Sequence, residues 1–90
     1  MGVPTVNYVE RAVDQLFELT GINKKMLLLV VQRLDNLYDI TAKDLCIKMG
    51  NRPRFRKRIQ TETIHPREES RCIILVDVIL KEFNIKDRWD

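Results

Sequence analysis

Glycine and proline are scarce in this chain, three of each in 90 residues. That scarcity weighs against an all-β sandwich, which needs many tight turns, and favours helices. Cysteine is limited to Cys46 and Cys72, each inside an apolar periodic stretch, and His65 is the only histidine. One histidine and two distant cysteines supply no zinc site of recognised spacing. Both thiols read as core residues, which agrees with a reducing, intracellular compartment. No apolar run approaches the roughly 20 residues that span a bilayer, so no membrane partner is expected. Met1-Gly2-Val3-Pro4-Thr5 lacks the basic and apolar regions of a signal peptide. His65 stands beside Pro66 with no serine, cysteine or carboxylate constellation around it, whereas general-base chemistry needs a positioned proton acceptor in a pocket. The expectation is therefore no enzyme, no metal and no cofactor.

What the chain does have is charge and helical periodicity. Hydrophobic residues make up 44% and charged residues 32%, as in a charge-rich globular domain rather than a disordered tail. The formal net charge is only +3, but its distribution is uneven. Asn51-Arg52-Pro53-Arg54-Phe55-Arg56-Lys57-Arg58 puts five cations into eight residues, and the remainder is nearly balanced. A dense cationic face asks for an anionic partner or for water, and the clustering says more than the sum.

The spacing predicts an all-α fold, a compact bundle of four to five helices over 8–19, 23–38, 41–49, 52–59 and 67–84. Asn7 and Glu10 have capping-box spacing, Val9, Ala12, Val13 and Leu16 form one stripe, and Gly21 with Ile22 supplies a Schellman-type stop. Asn23 caps a second helix that is apolar on most sides and is expected to lie at the centre of the bundle. Thr41 and Asp44 start a short third helix that Gly50 closes. Asn51 then caps a fourth, with Pro53 tolerated in its first turn and Phe55 and Ile59 facing the core. Gln60 to His65 reads as a loop. Pro66 opens the last helix, in which Cys72, Ile73, Val76, Ile79, Leu80 and Phe83 follow helical spacing, although its β-branched run from Ile73 to Ile79 would also suit a strand. No internal repeat or boundary divides the chain, so 1–90 is expected to be one domain with flexible ends at 1–6 and 85–90. Trp89 reads as a tail residue or a lid, with a partner hot spot as the alternative.

Three readings of the basic segment stand side by side. It is a solvated helix face; or it is the recognition helix of a helix-turn-helix, with 41–49 and 52–59 as the motif helices and Arg52, Arg54, Arg56, Lys57 and Arg58 on DNA; or it rims a protein-binding surface. An all-cation helix suits phosphate contact better than base reading. Leu28, Leu29 and Ile74 exceed the needs of one helical stripe, and a homodimer interface would cover them.

The third reading follows from a resemblance. Leu34-Asp35-Asn36-Leu37-Tyr38-Asp39-Ile40-Thr41, Leu45, Gly50, Phe55-Arg56-Lys57-Arg58 and the helix from Glu68 to Phe83 follow one another in a recognisable order. From Leu27 to Phe83 the chain resembles the N-terminal domain of transcription elongation factor TFIIS, a small helical domain that recurs in Elongin A and as the integrase-binding domain of LEDGF. It departs from that pattern around Gly50, in Phe83 where the family has a tryptophan, and in a longer loop at Gln60 to His65. The resemblance implies a non-enzymatic scaffold in the nucleus. Its partners would be short, disordered, acidic-hydrophobic segments of transcription or chromatin factors. The expected partner-binding residues are Tyr38, Ile40, Lys43, Arg54, Phe55, Arg56, Lys57 and Arg58, with the aromatic and aliphatic members as anchors and the cations as an electrostatic rim.

Overall fold

Helix α1 (Tyr8–Thr20) starts at the expected cap, where the Glu10 backbone N–H donates to Asn7 Oδ1 at 3.1 Å. The computed structural model describes residues 5–85. Four further helices follow: α2 (Lys24–Tyr38), α3 (Ala42–Asn51), α4 (Pro53–Glu62) and α5 (Glu68–Glu82). The fold is all-α, a five-helix bundle with no strand among the described residues. Trp89 and most of the expected flexible ends, 1–4 and 86–90, lie outside the described residues.

Each joint has a local cause. Gly21 ends α1 at φ 69°, and its N–H donates to the Phe17 carbonyl at 2.8 Å. Ile22 beside it is fully buried, as the hydrophobic contact of such a stop requires. Asn23 Oδ1 accepts from the Lys25 N–H at 2.8 Å and Thr41 Oγ1 from the Asp44 N–H at 3.1 Å, so both expected N-caps form. Asp39 ends α2 in the left-handed region at φ 55°.

The α3–α4 joint differs from expectation. Gly50 does not close α3; the helix runs through it to Asn51, and Asn51 is not a cap. Arg52 alone separates the two helices. Its N–H closes α3 on the Lys48 carbonyl at 3.0 Å, and its carbonyl accepts from Phe55 and Arg56 to open α4. Pro53 sits in the first turn, where a missing N–H leaves no bond unmade. The threonine-rich stretch expected as a loop is helical to Glu62. Thr61 Oγ1 donates to the Lys57 carbonyl at 2.9 Å, and Thr63 Oγ1 to the Ile59 carbonyl at 2.5 Å. Those bonds satisfy the hydroxyls without leaving the helix, and an Arg58–Glu62 pair one turn apart supports it.

The core is continuous across all five helices, with Leu16, Leu34, Leu45, Phe55 and Ile79 fully or almost fully buried. Two expectations about it are corrected. Helix α2 is not covered on nearly every side, because Leu28, Leu29 and Leu37 reach solvent. On α5 the buried side is Leu75, Val78, Ile79 and Leu80, while Ile73 is 71% exposed. From Cys72 to Leu80 every residue but Asp77 is apolar, so spacing alone does not fix which face turns inward.

Candidate functional site

The residues expected to form one site divide among three places. Phe55 and Ile40 are in the core, at 0% and 3% exposure, so neither is accessible as a surface anchor. Phe55 is the residue that holds α4 to the bundle together with Ile59. Ile40 is pulled inward as its N–H donates to the Leu34 carbonyl at 3.1 Å, just after the left-handed turn at Asp39. Lys43 is exposed on α3, with Nζ 5.8 Å from the centroid of the Tyr8 ring.

The second place is the outer face of α4. Arg52, Arg54, Arg56 and Lys57 are all exposed. Arg58 is half-buried and paired, its Nε 2.8 Å from Glu62 Oε2. Among the described residues no carboxylate lies within 4.0 Å of the other four cations. Three other carboxylates pair elsewhere, in Lys24–Asp14, Arg67–Glu69 and Lys81–Asp77. Arg56 also flanks a small cleft of about 130 Å³ with Gln15, Glu18 and Met49.

The third place was only partly legible. Tyr38 is half-buried and lies in a broad open groove of about 990 Å³ between α2 and α5. Met26, Leu29, Leu37 and Tyr38 form one wall, and Cys72, Ile73 and Val76 the other. No residue of α3 or α4 lines it. Leu29 is 65% exposed and Leu37 46%, and with Ile73 they line one groove, with Arg33 between the two leucines, rather than standing as scattered exposed residues. The excess of leucine at 28 and 29 was visible in the sequence. The partner on α5 is Ile73, where Ile74 was expected.

Neither thiol is set up for chemistry. Burial pushes the Cys46 thiol up, with Arg11 opposing it. Burial also raises Cys72, reinforced by Glu68 and Glu69 and opposed by Arg71. Both stay protonated at neutral pH, whereas a reactive cysteine needs its thiolate favoured. His65 Nδ1 accepts the Arg67 backbone N–H at 3.1 Å and closes the turn before α5. No three metal-ligating side chains converge among the described residues, and no helix there is long and apolar enough to cross a membrane.

Comparison with protein-family models, curated proteins and solved structures finds no match.

Proposed function

We propose that the protein is a non-enzymatic interaction domain that captures short, acidic-hydrophobic disordered segments of other proteins. The observation that supports this reading is the cationic face of α4. Arg52, Arg54, Arg56 and Lys57 project into solvent with no carboxylate of the described chain within 4.0 Å. Such a face raises the encounter rate with an acidic chain and selects against basic ones. A disordered ligand must also offset its ordering entropy by burying a few apolar side chains. The resemblance to TFIIS N-terminal-type domains gives the reading its transcription or chromatin setting, and a nuclear location goes with it.

DNA binding is the second reading, favoured by the same all-cation face, which suits phosphate contact. The α3–α4 joint weighs against a helix-turn-helix. Arg52 is its only residue, where that motif uses a turn of about three to four residues to set its helices apart.

Fluorescence anisotropy with a labelled acidic-hydrophobic peptide and with duplex DNA separates the two. Saturable peptide binding is expected, weakened about tenfold in the Arg54→Ala, Arg56→Ala, Lys57→Ala triple variant with little change in thermal stability. Tight DNA binding with a steep salt dependence, beside a peptide that does not bind, would replace the first reading with the second.

A further inference from the structure

The apolar half of such a ligand has no dock on α4, because Phe55 is wholly inside the core. We propose that the dock is the α2–α5 groove, and that it takes a short amphipathic helix of the partner with a carboxylate in the middle of its apolar stripe. The class of partner rests on the function proposed above; the position does not.

The groove has the dimensions and the pattern for a helix. Met26, Val30, Arg33 and Leu37 line its α2 wall at spacings of four, three and four. That is the alternation of a helix–helix seam, and an amphipathic helix reads such a groove through anchors at i, i+3 or i+4 and i+7. From Met26 to Leu37 the wall rises roughly 16 Å, room for about three helical turns. Leu29 and Ile73, the most exposed apolar residues of the groove, stand on opposite walls. Met26 and Cys72 supply soft, adaptable surface between them.

Charge selects the occupant. Among the described residues, Arg33 is the one permanently charged side chain lining the groove, and no carboxylate lines it. Among the described residues none lies within 4.0 Å of Arg33. An occupant that covered Arg33 with apolar atoms would leave a desolvated, unpaired guanidinium, which is strongly unfavourable. An acidic residue in the occupant's stripe turns that cost into a charge-assisted hydrogen bond. A second copy of this chain brings the same arginine and no carboxylate from the matching groove, and each copy carries a formal charge of +3. The groove therefore fits an acidic partner better than itself.

The test uses the full chain and a labelled amphipathic peptide about fourteen residues long, with leucines at the seam positions and one central glutamate. Binding is expected to fall about tenfold or more in Leu29→Asp and in Ile73→Asp, with unchanged circular dichroism. Arg33→Glu is expected to weaken it as well, and a peptide with lysine in place of the glutamate to regain affinity for that variant. Failure of the peptide to bind, or binding indifferent to all three groove substitutions, overturns the proposal. So does a wild-type dimer in sedimentation equilibrium that Leu29→Asp dissociates, since a second copy would then be the occupant. Binding that depends on Arg54, Arg56 and Lys57 but not on the groove would remove this dock and leave the proposed function standing. Duplex DNA binding without peptide binding would remove both.

Discussion

Arg71 Nε donates to the Thr63 carbonyl at 3.0 Å and Arg71 Nη2 to the Thr20 carbonyl, so one guanidinium ties the ends of α1 and α4 to α5. Both carbonyls belong to buried threonines. Arg71→Ala removes the donors and leaves two largely covered acceptors unsatisfied. A loss of roughly 2–3 kcal/mol in urea unfolding is expected, whereas Arg54→Ala on the open face of α4 should stay within about 0.5 kcal/mol. Equal, small effects at the two positions would mean that the clamp is not formed in solution. Nothing in the sequence marks Arg71 among its charged neighbours, because a half-buried arginine and a solvated one have the same side chain and differ only in tertiary surroundings. Phe55 was more legible: its i, i+4 spacing with Ile59 pointed to the core while the resemblance made it a partner anchor, and its burial settles for the core.

At the scale of the helix, the stops and starts were legible wherever a side chain itself makes the cap. Asn7, Asn23 and Thr41 cap as their spacing indicates, and Gly21 takes the left-handed stop. The misses have equally local causes. Gly50 reads as a terminator, but the chain continues through it because Arg52 supplies the closing N–H two residues later. The threonines after Ile59 read as a loop, but bond back to their own helix. Two left-handed positions give predictions of opposite sign. Gly21→Ala should cost about 1 kcal/mol, for conformational reasons alone, since a Cβ there meets no atom within 4 Å. Asp39→Gly, at φ 55°, should stabilise by up to about 1 kcal/mol. Thermal melts of the two variants check both, and a stabilising Gly21→Ala would contradict the assigned stop.

Across the whole molecule, the basic cluster and the open apolar groove stand on different helices. Helix α5 packs against both α2 and α4. The basic cluster stands on α4, and the open groove lies between α5 and α2. The five-helix architecture follows from hydrophobic periodicity and was readable in advance. The groove was not, because it depends on which side of α5 turns inward, and the apolar run from Cys72 to Val76 leaves that phase open. Only the surplus at Leu28 and Leu29 hinted at uncovered surface.

The proposed role of these two surfaces is to hold an acidic, partly apolar protein segment. Its most direct test is amide chemical-shift mapping on the isotope-labelled full chain during titration with an acidic-hydrophobic peptide. Shifts are expected at Leu29, Arg33, Leu37 and Ile73 and on the exposed face of α4 at Arg54, Arg56 and Lys57. A spectrum that ignores the peptide, and moves only when duplex DNA is added, would contradict that role.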